Sequence, residues 1–105
     1  MNLEVLQESI NSELGVLVYF SGEHCSVCHA LRPKIKALFD EEFPKLKQIY
    51  IDAHEHIEIS QHFQVLSVPT MLVFLDRREF IREGRLVSLH KLTQDLKRPY
   101  MLMSE

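Results

Sequence analysis

Five consecutive apolar residues, Val16-Leu17-Val18-Tyr19-Phe20, run just ahead of the only two cysteines in the chain, which sit in Cys25-Ser26-Val27-Cys28. An unbroken apolar run of this kind reads as a central strand covered on both faces. A helical pattern comes after it. A strand that delivers two thiols to a helix N-terminus is an arrangement that makes cysteine redox-active. Thiols at this spacing close a disulfide within one turn. The first can attack a partner's disulfide, and the second can release the mixed intermediate.

The 105 residues suit one domain, and an apolar content of 46% allows a real core. The net charge of −3 sets up no strong field for nucleic acid or membrane. Arg77-Arg78 reads as a solvated turn rather than a binding patch. The segment Met1-Asn2-Leu3-Glu4-Val5 is acidic and amphipathic and lacks the basic and apolar regions of a secretory signal. No run is long enough to span a bilayer. A cytoplasmic location is therefore expected, and in a reducing compartment a lone close cysteine pair is catalytic or metal-binding.

Leu3, Leu6, Ile10 and Leu14 recur at helical spacing and predict a first helix ending near Gly15. After the strand Val16–Phe20, Ser21-Gly22-Glu23-His24 forms a loop. A long helix is predicted from about Cys25 to Glu42, with Pro33 inside it. Leu46 to Asp52 reads as a second strand and Glu55 to Phe63 as a short helix. Met71–Leu75 and Glu79–Glu83 form a hairpin about the turn Asp76-Arg77-Arg78. A closing helix spans Leu86 to about Leu96, limited by Pro99. The order α-β-α-β-α-β-β-α implies a mixed four-stranded sheet with helices on both faces, its first two strands parallel.

Val68-Pro69-Thr70 lies between the short helix and the third strand. Proline cannot donate to a sheet ladder and belongs at a strand's start or on an edge. A cis bond at Pro69 would turn the Val68 backbone toward the sulfurs.

From Val16 to Leu96 the chain resembles the thioredoxin family. The resemblance rests on the strand Val16–Phe20, Cys25-Ser26-Val27-Cys28, Pro33 five residues beyond the second cysteine, the strand end Ile51-Asp52, Val68-Pro69-Thr70, and Gly84 in the last strand. It implies a thioredoxin fold, with Cys25 as nucleophile, Cys28 as resolving thiol and Pro69 as a cis-proline beside them. It also implies substrate pairing with the backbone near Val68, protein disulfide substrates, and an electron donor such as a thioredoxin reductase. No cofactor is implied. Three features depart from the family pattern. The family's Trp-Cys-Gly-Pro-Cys is here preceded and filled differently, as Glu-His-Cys-Ser-Val-Cys. Tyr19 stands where the family buries an Asp that assists proton transfer to the resolving cysteine. Gln48 stands where the Lys paired with that Asp belongs.

Cys25 is expected at a helix N-terminus, where free N–H groups and the dipole favour thiolate. His24 is a candidate for tuning its reactivity; His29 reads as a solvated residue. Glu23 is a candidate for proton traffic or a plain loop carboxylate. Tyr19 is a candidate donor near Cys28, or a core tyrosine.

Other chemistries fit parts of the same string. Cys25 to His29 matches Cys-x-x-Cys-His, the c-type haem attachment site, with His29 as axial ligand and Met101 or Met103 opposite. Cys25 and Cys28 would also make half of a zinc site with His54, His56 or His62. A non-enzymatic reading makes the fold a protein-binding module. A monomer is the default state, and Tyr100-Met101-Leu102-Met103 is the one apolar hint of a contact.

Overall fold

The apolar run at Val16–Phe20 forms the heart of a four-stranded sheet. In a computed structural model describing residues 1–105, the elements are α1 (Leu3–Ser12), β1 (Gly15–Ser21), α2 (Ser26–Glu42), β2 (Lys47–Asp52), α3 (Ile57–His62), β3 (Thr70–Leu75), β4 (Arg78–Glu83) and α4 (Leu89–Met103). The strand order is β2-β1-β3-β4. β1 pairs in parallel with β2 and antiparallel with β3, and β3 with β4 is antiparallel. This is the thioredoxin fold expected from the sequence.

Strand alternation explains why β1 has no polar side. Val16, Val18 and Phe20 face one core with Leu6 and Ile10 of α1 and Ile59 of α3. Leu17 and Tyr19 face a second core with Ile35 and Phe39 of α2 and Leu92 and Leu96 of α4. Each fully buried large side chain stabilises the fold by roughly 1.5–3 kcal/mol. Gly15 opens β1 at a point of close approach. A Cβ there would lie 2.7 Å from the Phe74 carbonyl oxygen.

Several boundaries differ from expectation. α1 ends at Ser12, where the Glu13 N–H closes onto the Ser9 carbonyl. α3 begins at Ile57, because the Asp52 carboxylate holds the His54 and Glu55 N–H groups in a turn. The hairpin turn is Asp76-Arg77 alone, both at positive φ (49° and 71°), and Arg78 already belongs to β4. Paired positive φ values suit the twist of a two-residue hairpin. Gly84 lies just past the end of β4 rather than within it.

The largest correction is at the last helix. It starts at Leu89, capped by the Ser88 hydroxyl, which accepts from the Lys91 N–H. It then runs through Pro99 to Met103. An interior proline costs about 3 kcal/mol. Tertiary contacts beyond Pro99 offset that cost. The Tyr100 hydroxyl accepts from the Lys45 N–H at 3.1 Å, and its ring meets Phe43 edge-on at 5.2 Å. Lys45 Nζ also donates to the Ser104 carbonyl at 3.1 Å.

Candidate active site

β1 and β2 run parallel, with Ser21 opposite Asp52, so the loops that leave their C-terminal ends share one edge of the sheet. The loop after β1 carries the cysteines. Gly22 starts a turn closed by the Cys25 N–H donating to the Gly22 carbonyl at 3.2 Å. Cys25 is then the N-cap of α2, and its Sγ accepts the Cys28 N–H at 3.2 Å. The sulfur thus takes the capping place usually held by a side-chain oxygen. A backbone donor aimed at Sγ, together with the helix dipole, favours negative charge on that sulfur.

Cys25 and Cys28 are joined as a disulfide, with Cα atoms 5.2 Å apart. Their exposures differ. Cys25 is partly open to solvent, whereas Cys28 is fully buried one turn into α2. A partner can reach the first sulfur but not the second.

Pro69 is buried and its peptide bond to Val68 is cis. Val68 is half-buried and lines the same cleft as Cys25. Gly84 lies against this segment: a Cβ there would sit 3.5 Å from the Pro69 carbonyl oxygen. Arg82 of β4 holds the chain leading into it. Its guanidinium donates to the Phe63 carbonyl at 2.7 Å and to the Gln64 carbonyl at 3.3 Å. The same guanidinium is held by both oxygens of Glu79, at 2.8 and 3.0 Å.

Tyr19 is fully buried, and its hydroxyl donates to the Cys28 carbonyl oxygen at 2.7 Å. Burial pushes its phenol up to about 12. It stays neutral through the working range and is no base for Cys28. Gln48 is not placed against a buried acid. Its amide donates to Asp40 on α2 at 2.7 Å and its oxygen accepts from Tyr50. Gln48 therefore ties β2 to α2 by neutral and surface contacts.

His24 is exposed in the cysteine loop and lines the cleft. His29 is exposed, as expected, with Nε2 2.9 Å from the Glu23 carbonyl oxygen. The haem set is not brought together. Met101 and Met103 lie in the last turn of α4, whose Tyr100 packs on Phe43 just past the end of α2. The seventeen residues of α2 put about 25 Å between that end and Cys25. Of the candidate zinc histidines, His54 shares the Cys25 cleft. His56 instead faces the Asp52 carbonyl, and His62 stacks edge-on against Phe63. No group of three or more His, Cys, Asp or Glu side chains is arranged to hold a metal ion.

Sequence reasoning missed two features. One is the place of His54 in the wall of the Cys25 cleft, since the sequence offers this residue only as a zinc ligand; its ring packs on the cysteine loop, and a Cβ on Gly22 would come within 3.2 Å of it. The parallel pairing of the first two strands was the available signal, since it places the loop leaving Asp52 beside the loop leaving Ser21. The other is Arg82, for which a single basic residue in a predicted strand gives no signal.

A family model described as Thioredoxin matches residues 2–98. The thioredoxin-like protein YdfQ of Bacillus subtilis is 41% identical over 85 residues, covering 81% of this chain and 75% of that one. The thioredoxin of Rickettsia bellii is 34% identical over 68 residues, covering 65% of each. Among solved structures, a mutant thioredoxin from Halobacterium salinarum superposes with a TM-score of 0.80. That match covers 95% of this chain and 86% of the other at 23% identity, a likeness of fold.

Proposed function

Because the chain belongs to the thioredoxin family of thiol–disulfide oxidoreductases, we propose that it exchanges its Cys25–Cys28 pair with disulfides of protein substrates through a mixed disulfide at Cys25. The observation that carries this reading is the asymmetry of the pair. The sulfur at the helix N-cap is reachable and takes a backbone N–H bond, while its partner is sealed in the core.

In the reducing direction, the Cys25 thiolate attacks one sulfur of the substrate disulfide. The substrate S–S bond breaks, and its second sulfur leaves as a thiolate that takes a proton. Cys28 then loses its proton and attacks Cys25 Sγ. That breaks the mixed disulfide, closes the Cys25–Cys28 bond and releases the first substrate sulfur. Two electrons pass to the substrate, and an external dithiol donor of the thioredoxin-reductase kind restores the protein. Val68, beside Cys25, offers its backbone to the incoming chain, and Pro69 fixes that backbone's direction. His24 lies next to the attacking sulfur and adds positive charge there when protonated. The absence of other cysteines suits a reducing, cytoplasmic setting.

The test uses a fluorogenic peptide disulfide and three proteins. Wild type is expected to reduce it with a dithiol donor, Cys25→Ser to be inactive, and Cys28→Ser to accumulate a mixed disulfide visible by mass spectrometry. Equal rates for wild type and Cys25→Ser would sink the reading.

A further inference from the structure

Between β1 and α2 the segment Gly22–His24 carries Cys25 out to the surface with few ties of its own. Glu23 and His24 are exposed. One side-chain hydrogen bond reaches these three residues, and it comes from His29, whose Nε2 lies 2.9 Å from the Glu23 carbonyl oxygen. A carbonyl oxygen only accepts, so Nε2 carries the hydrogen and donates. The backbone N–H of the same histidine donates to the Cys25 carbonyl at 3.2 Å. His29 therefore holds the cysteine loop to α2 at two points.

The two sulfurs are held unequally. Cys28 is fully buried in the first turn of α2, and the Tyr19 hydroxyl fixes its carbonyl at 2.7 Å. Cys25 sits at the end of the exposed loop. While the S–S bond is closed, it ties that loop to α2 by itself. When the bond opens, the loop depends on hydrogen bonds, and the His29 ring supplies the one that lies upstream of Cys25 and crosses to the helix.

We propose that His29 is a positioning residue for the ring-closing step, keeping Cys25 Sγ within reach of Cys28 while the pair is open. The inference rests on the exchange reaction proposed above. In its second half Cys28 loses its proton and its sulfur attacks Cys25 Sγ. The bond from Cys25 to the substrate breaks, and the substrate sulfur leaves with the electron pair. A loop ordered in advance raises the effective concentration of one sulfur at the other. The same ordering favours the closed disulfide over the open dithiol. The place of the ring suits this role. His29 lines a cleft with Arg32 and Tyr50, whereas Cys25 opens into a different one with His24 and Val68. A substrate that reaches Cys25 leaves the bond from His29 in place.

A role through charge alone would have the opposite sign. His29 follows Cys25 by four residues, one helical turn. A positive ring there would favour the Cys25 thiolate and hence the dithiol, so its removal would favour the disulfide.

The test equilibrates wild type, His29→Ala and His29→Gln with glutathione at one pH and measures the fraction oxidised. Gln presents an N–H donor at a reach similar to Nε2 and carries no charge. The ring is exposed, so neither variant opens the core. His29→Ala is expected to move the equilibrium constant roughly threefold toward the dithiol, about 14 mV for a two-electron couple. His29→Gln should stay near wild type. Release of a peptide from its mixed disulfide with Cys25 should slow by a similar factor in His29→Ala and recover in His29→Gln. An unchanged constant in His29→Ala would leave the ring a surface contact and overturn the proposal. A shift toward the disulfide would assign it a charge role, and a Gln variant that behaves like Ala would remove the hydrogen bond from the account; either result overturns the proposal and leaves the exchange reading intact. Failure of all three proteins to exchange with glutathione would remove the exchange reading, and this role with it.

Discussion

Tyr19 bonds to Cys28 through the backbone: its hydroxyl reaches the carbonyl oxygen at 2.7 Å, and the sulfur is left without it. The bond ties the first turn of α2 to the central strand of the sheet. It also uses the hydroxyl's only proton. A group so committed, and neutral until strongly alkaline pH, positions the resolving cysteine without titrating beside it.

Tyr19→Phe should therefore behave as a positional variant. It removes one hydrogen bond from a buried carbonyl and should lower stability by about 1 kcal/mol. The step that resolves a mixed disulfide should slow, while the pH profile of exchange near neutrality keeps its shape. The phenol also predicts an alkaline signature. Its folded value is raised by burial from 10.0 to about 12. The unfolded chain therefore loses this proton first, and stability present below about pH 10 should decline as pH rises toward 12. Urea unfolding across that window should show a shallower decline in Tyr19→Phe. A pH profile of exchange altered near neutrality in that variant would contradict the positional role.

Arg82 makes a second prediction. It spans from Glu79 to the Phe63 and Gln64 carbonyls and so fixes the chain that leads to Val68 and Pro69. Arg82→Ala should cost about 1 kcal/mol, the exposed setting screening the ion pair. Its larger effect should fall on KM for peptide disulfides, severalfold upward, because the ledge at Val68 loosens. The equilibrium potential against glutathione should stay near the wild-type value. A potential that moves while KM does not would show that Arg82 acts on the cysteines instead.

How much of this was legible from the residues depends on how far each feature reaches along the chain. β1 announces itself by five adjacent apolar residues, and α2 by the periodicity of Leu31, Ile35, Leu38 and Phe39. Cys25, Cys28 and Pro69 stand in short local motifs. The cleft is different. His54 and Cys25 are brought together only by the register that sets Ser21 against Asp52, and register is a property of the sheet. Pro99 misled for a related reason. Its local rule ends a helix, and only the distant partners Lys45 and Phe43 of Tyr100 carry the helix past it.

Asp52 gives a third prediction. Its carboxyl lies below the ordinary range, first because the Glu55 N–H donates to the charged form. A lowered folded value means stability present above the unfolded value and lost as pH falls through the folded one. Asp52→Ala should lower Tm by a few degrees at neutral pH and flatten the acid limb of the stability curve. Asp52→Asn, which retains the accepting oxygen, should keep most of the Tm. Thermal melts from neutral to strongly acid pH compare the three proteins. An Asn variant as unstable as Ala would show that the charge, and not the cap, holds the turn.

Tyr100 supplies the last prediction. Past Pro99 the helix α4 has a half-buried tyrosine that meets Phe43 edge-on and accepts the Lys45 N–H. These contacts hold the end of α4 against the turn between α2 and β2. Tyr100→Ala removes ring and hydroxyl together and should cost about 2 kcal/mol. Tyr100→Phe keeps the ring and should cost less, about 1 kcal/mol, by leaving the Lys45 N–H to water. Amide exchange should report where the loss falls. In Tyr100→Ala, protection should drop beyond Pro99 and at Lys45 while β1 and β3 keep theirs. A uniform loss across the sheet would mean that the end of α4 is part of the global folding unit rather than a docked extension of it.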